Sequence, residues 1–423
     1  MVKQAVIIAG GKGTRLKSVL NQKPKILVNL DNKTLLDYQI DYLKSNGISS
    51  IHFCLGHGSD QVLAHLEKTN IKYTYSVEER PLGTYGALYN SREYLEDTFF
   101  VLYGDVLTNF NIQEGYNSFI HQDSDFHLIL RYTNHPEDSD LVELGEDNRV
   151  LSISRIQNKN NSFMPIGNTS LLFSKKNSIK KTRNETPVDI FKDFLQNNLN
   201  TLHITGSISI DYIRDIGTKE RYESEISNYK KKIGKPYKVV FLDRDGTLVE
   251  DQGNENNTEK LVFKNISLDI LKYLQQENFK IILISNQPGI AKGFFELKDV
   301  NIFNSHIQHN LIEMDLLPLD DIFICVHHPE SGFEGEVEKL KINCNCRKPK
   351  TGLVEAAIKN HNLDKNNFIF IGDTVRDYEL SLKFDSQFYL IESDLTDIKY
   401  FDSKNIVPLS TSEEFIVEIE DKS

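Results

Sequence analysis

The chain has 423 residues, 39% of them hydrophobic, and carries 49 Lys+Arg against 61 Asp+Glu for a net charge of −12. That length exceeds what one hydrophobic core supports, so at least two domains are expected. The acidic balance, without a basic block interleaved with aromatics, argues against a nucleic-acid partner; no apolar run reaches membrane-spanning length, which leaves no membrane partner and an expected place in the cytoplasm.

The apolar run at residues 4–9 predicts a strand from the outset, with no charged leader before it. Gly10-Gly11-Lys12-Gly13-Thr14-Arg15-Leu16 follows directly. Gly10, Gly11 and Gly13 let the backbone approach phosphates, Arg15 adds a planar cation, and Lys25, after Pro24, adds a point charge. A generic glycine turn accounts for the loop alone, since it lacks both the P-loop ending and the dinucleotide fingerprint. Strands are expected over 51–55, 72–77 and 99–102 and helices over 35–46 and 83–94, an α/β pattern. Glu79-Arg80-Pro81-Leu82-Gly83-Thr84-Tyr85-Gly86-Ala87 sets two glycines around a turn into a helix, where a base and ribose can lie against the backbone. Tyr103-Gly104-Asp105 and Arg214-Asp215-Ile216-Gly217-Thr218 offer two carboxylates for one Mg²⁺ against a triphosphate. Singly, either reads equally as a turn or cap residue.

Tyr229-Lys230-Lys231-Lys232-Ile233-Gly234-Lys235-Pro236 reads as a helix end running into a connector, which divides the chain into 1–235 and 236–423. Lys+Arg against Asp+Glu is 29 to 28 before that boundary and 20 to 33 after it, so the second half carries the acidity. There the strand Val239-Val240-Phe241-Leu242 runs into Asp243-Arg244-Asp245-Gly246-Thr247 and projects two carboxylates from one strand end. Such a pair cleaves phosphate esters: one attacks phosphorus, and the other protonates the leaving oxygen and then takes a proton from water. Mutual repulsion calls for Mg²⁺ on Asp243 and Asp245 with a third carboxylate, which Asp373 supplies after the apolar run Ile369-Phe370-Ile371-Gly372; Asp377 stands one helical turn further on. Ser285, Asn286 and Gln287 end another apolar run with a hydroxyl and amides suited to phosphate oxygens, and Arg347-Lys348-Pro349 brings cations. Cys325, Cys344 and Cys346 crowd beside His327, a distribution that fits metal binding better than a disulfide framework. Cys54 reads as core. Ser410-Thr411-Ser412-Glu413-Glu414 either caps a short helix or belongs to a loose tail.

In order and spacing, the first-half segments resemble the sugar-1-phosphate nucleotidyltransferases over residues 3–225, and through Tyr75-Ser76-Val77-Glu78-Glu79-Arg80-Pro81-Leu82-Gly83-Thr84 their branch acting on heptose 1-phosphate with GTP. The resemblance implies a Rossmann-like, GT-A-like mixed sheet. It implies a nucleoside triphosphate held by Gly10, Gly11, Gly13, Thr14, Arg15, Lys25, Glu79, Gly83 and Thr84, with Mg²⁺ on Asp105 and Asp215. The sugar phosphate would attack the α-phosphorus and expel pyrophosphate while Arg15 and Lys25 neutralise charge. Where the family shows Glu-Lys-Pro and Asn-x-Gly this chain has Ser154-Arg155-Ile156 and Gly167-Asn168-Thr169-Ser170, and Phe191 replaces one member of an acidic pair, leaving Asp193. Asn168, Asp193 and Arg155 are the expected sugar contacts, and each serves equally as a surface or capping residue.

Residues 238 to about 392 resemble the haloacid dehalogenase superfamily, a second Rossmannoid domain. Asp243 matches the nucleophile, Asp245 the acid/base, Asp373 the metal ligand, and Ser285, Asn286, Arg347 and Lys348 the phosphate contacts. Asn286-Gln287-Pro288-Gly289-Ile290-Ala291-Lys292-Gly293, Cys325-Val326-His327-His328-Pro329 and Cys344-Asn345-Cys346-Arg347-Lys348-Pro349 resemble its heptose bisphosphate phosphatases. That match implies a structural Zn²⁺ on Cys325, His327, Cys344 and Cys346, pinning the loop that delivers Arg347 and Lys348. Histidinol-phosphate phosphatases carry a related loop, and Thr374 replaces a usual lysine. The implied partners are a nucleoside triphosphate and heptose phosphates, with a homo-oligomer compatible with the sequence. Two rivals are the same chemistries on another sugar, such as mannose 1-phosphate, and a phosphatase regulated by a nucleotide-sensing first half.

Overall fold

The computed structural model describes every residue except 12, 21–22, 146, 156–162, 182–186, 233–237 and 422–423. Lys12, Ile156 and the connector at 233–236 therefore lie outside the described residues. The chain forms two compact units, one of Met1–Arg131, His135–Gln157 and Ile166–Lys235, the other of Tyr132–Asn134, Asn158–Pro165 and Pro236–Ser423.

The strands up to the connector are β1 (Gln4–Ala9), β2 (Asn29–Leu30), β3 (Lys33–Thr34), β4 (Ser50–Leu55), β5 (Tyr73–Val77), β6 (Thr98–Tyr103), β7 (Val106–Thr108), β8 (Phe126–Tyr132), β9 (Leu141–Leu144), β10 (Val150–Ser154), β11 (Ile166–Lys175), β12 (Ile204–Ile208) and β13 (Ile213–Asp215). One mixed sheet runs β10-β9-β11-β6-β1-β4-β5, with β8 pairing both β11 and β12. β1 is apolar almost throughout because it lies parallel between β4 and β6 and both its faces are covered. The helix Leu35–Ser45 starts on a Thr34/Asp37 capping box, which satisfies its first amides, and packs Leu36, Ile40 and Leu43 into a core with Phe53, Phe100 and Phe173. The helix expected over 83–94 divides into Gly83–Asn90 and a 3₁₀ turn at Arg92–Tyr94. With β6, β1 and β4 parallel, the glycine loop after β1 and Gly104-Asp105 after β6 leave from the same edge of the sheet.

The second unit holds β14 (Val239–Leu242), β15 (Lys280–Asn286), β16 (Asp321–Cys325), β17 (Phe368–Gly372) and β18 (Gln387–Leu390). They form a fully parallel sheet in the order β16-β15-β14-β17-β18. β14 is central, so Asp243, Ser285 and Asp373 emerge from the carboxyl ends of three adjacent strands, the crevice where such sheets bind ligands. Leu242, Leu271, Leu283 and Ile371 form its core together with Phe415 and Ile419. These last two belong to the helix Ser412–Asp421, which the segment at 410–414 opens. Among the described residues no helix is long and apolar enough to cross a membrane.

Candidate active sites

In the first unit Leu16 is buried and anchors the 3₁₀ turn Thr14–Leu16 after the glycine loop. Thr14 and Arg15 are exposed and make no side-chain hydrogen bond or ion pair among the described residues. Lys25 opens the turn Lys25–Leu27 and places Nζ 2.5 Å from Asp105 Oδ2. The ladder between β7 and β13 sets Asp215 opposite Val106, and the Ile216 amide donates to the Asp105 carbonyl at 2.9 Å. The two expected aspartates therefore meet on neighbouring backbones, though far apart in sequence. Burial would raise the Asp215 carboxyl, but the Arg221 guanidinium at 2.8 Å, the Gly217 amide and Lys25 outweigh it and hold it below the usual carboxylate range.

Glu79 is exposed, and the neighbouring Glu78 reaches the loop, where a Cβ on Gly10 would lie 2.6 Å from Glu78 Oε1. Gly83 and Thr84 both meet the segment around Val188 to Ile190. Gly83 has φ +77°, and a Cβ there would lie 2.6 Å from the Val188 nitrogen; Thr84 Oγ1 donates to Asp189 Oδ2 at 3.0 Å and accepts from the Ile190 amide at 2.8 Å. Asp193 lies in the turn Ile190–Leu195 and accepts from the amide of its cap residue Asp189 at 2.7 Å. Arg155 and Asn168 come together on Asp140, at 2.8 and 3.3 Å.

In the second unit Lys348, 3% exposed, is the hub. Its ammonium lies 2.7 Å from Asp243 Oδ1, 2.7 Å from Asp377 Oδ1 and 3.0 Å from the Ile284 carbonyl. Burial alone would lower Lys348, but the carboxylates of Asp243 and Asp377 prevail and raise it. Asp243 is pushed well above the carboxylate range by burial and then by Asp377. Asp243 Oδ1 also accepts from the Arg244 amide at 2.7 Å, and its Oδ2 has no donor among the described residues. Asp245 is held at both oxygens: Oδ1 accepts from Arg244 Nε at 2.9 Å, Oδ2 from Gln287 Nε2 at 2.7 Å and Ser285 Oγ at 3.3 Å. Arg244 is itself buried, bonded to Asn304 and Asn256 and stacked over Phe303.

The carboxylates of Asp243, Asp373 and Asp377 lie within 4.8 Å of one another. Asp245, expected in that set, lines the phosphatase cavity with its oxygens accepting from Arg244, Gln287 and Ser285, and Asp377 joins Asp243 and Asp373. Burial, then Asp377, pushes Asp373 up to about 6, and its Oδ1 is buried without a hydrogen-bond partner. A vacant buried acceptor among three oxygen ligands fits a hard divalent cation. Asn286, expected on phosphate, lines the same cavity and bonds the Lys348 backbone, accepting from its amide at 2.9 Å and donating to its carbonyl at 3.2 Å. Ser285, Arg347 and Lys348 line that cavity, of about 170 Å³, with Asp243 and Asp373.

Cys325, His327, Cys344 and Cys346 place their ligand atoms within 4.8 Å of one another, a group that could hold one metal ion. Cys346 Sγ lies 3.2 Å from Cys325 Sγ, from Cys344 Sγ and from His327 Nδ1. His328 stays outside that group and donates to no cysteine; its Nδ1 accepts from the Glu330 amide. Sequence reasoning gave no role to Glu78, Arg221, Arg244 or Asp377, and it read Gln287 as a phosphate amide where its Nε2 holds Asp245. For Asp377 a signal existed: Thr374 and Asp377 have capping-box spacing, and the box is present.

Fold and sites together define two phosphate-handling enzymes in one polypeptide, a nucleotidyltransferase and a phosphomonoesterase. The nucleotidyl transferase family model matches residues 4–232 and the polynucleotide kinase 3 phosphatase model residues 238–406. The D-glycero-beta-D-manno-heptose-1,7-bisphosphate 7-phosphatase of Haemophilus influenzae is 36% identical over 145 residues, 34% of this chain and 76% of that protein. The Photorhabdus laumondii relative, named as the alpha-anomer phosphatase, is 34% identical over 138 residues, 32% of this chain and 72% of that protein. The crystal structure of HddC from Yersinia pseudotuberculosis, 27% identical, covers 54% of this chain and 100% of that one with a TM-score of 0.48. The chain belongs to the nucleotidyl transferase family and carries, in the same polypeptide, a phosphatase of the haloacid dehalogenase superfamily.

Proposed function

We propose that this chain carries out two consecutive steps in making a nucleotide-activated heptose, with residues 1–235 as the transferase domain and 236–423 as the phosphatase domain. The phosphatase removes the 7-phosphate of D-glycero-D-manno-heptose 1,7-bisphosphate. The transferase then couples the remaining 1-phosphate to GMP from GTP and releases pyrophosphate. One observation carries this reading: the relatives of the second unit are named for removing a phosphate at C7, and the product of that reaction keeps the 1-phosphate that a sugar-1-phosphate nucleotidyltransferase needs. Both substrates belong to the cytoplasm.

In the phosphatase, Asp243 Oδ2 attacks phosphorus, the ester P–O bond breaks, and the leaving oxygen takes a proton from Asp245. Water then attacks the aspartyl-phosphate and gives its proton back to Asp245, freeing inorganic phosphate and Asp243. Ser285, Lys348 and Arg347 meet the phosphate oxygens. In the transferase, Arg15 and Lys25 neutralise the triphosphate as the sugar phosphate oxygen attacks, so positioning and charge carry the catalysis. Asp243, Asp373 and Asp377 would hold Mg²⁺ in one site and Asp105 and Asp215 in the other, where the ion supplies screening of phosphate charge. Cys325, His327, Cys344 and Cys346 would hold a structural Zn²⁺.

Purified protein is to be incubated with each anomer of the bisphosphate, Mg²⁺ and each nucleoside triphosphate, with phosphate and pyrophosphate followed separately. Phosphate should appear first, and pyrophosphate only with GTP. Asp243→Asn should stop phosphate release while sparing pyrophosphate release from heptose 1-phosphate, and Lys25→Ala should do the reverse. Pyrophosphate from another triphosphate but not GTP would overturn the choice of base, and no phosphate from either anomer would overturn the sugar.

A further inference from the structure

Arg244 stands in sequence between Asp243 and Asp245 and is only 2% exposed. A buried guanidinium is costly unless its donors are met, and this one is met in three directions. Its Nε donates to Asp245 Oδ1 at 2.9 Å, its Nη1 to Asn304 Oδ1 at 3.0 Å and its Nη2 to Asn256 Oδ1 at 2.8 Å. Its face lies 4.8 Å from the centre of the Phe303 ring. A planar fork reaches all three acceptors at once, which the single ammonium of a lysine does not. Asn256 turns its Oδ1 to Arg244 although this leaves its own Nδ2 buried with no hydrogen-bond partner. The loop around Asn256 is closed on itself, Gln252 donating to the Asn257 carbonyl at 3.2 Å and accepting from the Asn257 amide at 3.0 Å. Asp251, Gly253 and Asn254 of that loop line the cavity. Arg244 thus joins the helix Leu297–Glu313, the cavity loop and Asp245.

Ser285 and Gln287 rest on Oδ2 of Asp245, and Arg244 is the donor on Oδ1 among the described residues. Without that donor the carboxyl group is held at one oxygen and can turn about its Cβ–Cγ bond. A general acid works only within hydrogen-bond reach of the oxygen it protonates, so its rotation matters to the rate. We propose that Arg244 is a positioning residue that fixes Asp245 as the proton donor to the leaving oxygen, with Asn256 as the brace that aims it. The inference rests on Asp245 being the acid, as in the proposed function, and is independent of which sugar carries the phosphate.

Full-length wild type, Arg244→Lys and Asn256→Ala are to be given heptose 1,7-bisphosphate, phenyl phosphate and p-nitrophenyl phosphate with Mg²⁺, and kcat/KM compared. The alkoxide and phenoxide need a proton to leave, whereas p-nitrophenoxide leaves with little help. Such proton transfer contributes about 10²–10⁴-fold, so Arg244→Lys should lower the heptose-to-p-nitrophenyl ratio by about tenfold or more, chiefly through kcat. The phenyl-to-p-nitrophenyl ratio should fall in the same direction, and Asn256→Ala, which removes one hydrogen bond, should lower both by about threefold or more. A merely structural role would slow all three esters alike. Amide-exchange protection at β14 checks that each variant is folded, and should Arg244→Lys fail that check, Asn256→Ala decides. An unchanged phenyl-to-p-nitrophenyl ratio in the folded variants overturns the positioning role and leaves the proposed function standing. A wild type that cleaves the aryl esters but not the heptose bisphosphate overturns the sugar, and the aryl ratio still decides for Arg244. A wild type that cleaves none of the three overturns both.

Discussion

Replacing Lys348 by Met keeps most of the side-chain volume while removing a buried charge and three hydrogen bonds, to Asp243, Asp377 and the Ile284 carbonyl. Two carboxylates would then face each other in a site where Lys348 is only 3% exposed. Breaking a buried ion pair from one side costs about 3–5 kcal/mol. The cluster can relieve part of this by taking up protons, since Asp373 already stands at about 6 through burial and then Asp377, which favours the lower end of that range. At about 1.4 kcal/mol per decade the opening equilibrium of the second unit rises by about two to three powers of ten. Hydrogen exchange resolved to peptides reads this directly: protection of the β14 and β15 amides should fall by that factor, while β1 and β6 amides keep theirs. Added Mg²⁺ should restore part of the loss by supplying the missing positive charge to the three carboxylates. A change of less than tenfold at β14 in metal-free protein would refute the account of Lys348 as the charge that holds this cluster together.

Gly83→Ala should destabilise the first unit by about 2–4 kcal/mol, the left-handed backbone contributing about 1–2 of that and the collision with Val188 the rest; an unchanged urea midpoint with unchanged slope would contradict the packing described. Acid should weaken the same unit through His127 and His52, which burial pushes down to about 3 and about 4. Above the ordinary value of 6.5 both histidines are neutral in folded and unfolded chains, and no slope arises. Below it the unfolded chain takes protons that the folded one refuses, so stability falls by about 1.4 kcal/mol per pH unit for each until its folded value is reached. His127→Gln should remove one such increment from the urea midpoint's pH dependence between 6.5 and 4, and an identical dependence in variant and wild type would show that His127 is not held neutral.

The groups at strand ends were legible because an apolar run followed by a carboxylate specifies, locally, which end of a sheet the carboxylate leaves from. Asp243 and Asp373 follow their strands in this way and meet because β14 and β17 are paired. What a motif does not specify is which distant segment fills the space beside it. Gly83 reads as a glycine for a base, and the motif does not say that the Val188 backbone fills its Cβ side or that Thr84 bonds a residue 106 positions away. Glu78 and Glu79 are equivalent in composition, and only strand alternation at the end of β5 decides which one faces the loop. Asn286 reads as an amide for phosphate, yet it lies beside a loop whose backbone needed both a donor and an acceptor.

The two sites share a device and differ in how firmly it is set. In each, a lysine sits on a carboxylate that phosphate chemistry requires: Lys25 on Asp105 at 2.5 Å and Lys348 on Asp243 at 2.7 Å. The Lys25 side chain is 15% exposed with one acceptor among the described residues, so exchanging Asp105 for a triphosphate costs it a single contact there. Lys348 is 3% exposed with three acceptors, and withdrawing it would strand two buried carboxylates. The phosphatase substrate must therefore come to a lysine that stays in place. In the transferase the lysine is free to follow its nucleotide, which makes the first site the one whose charge pattern changes on binding.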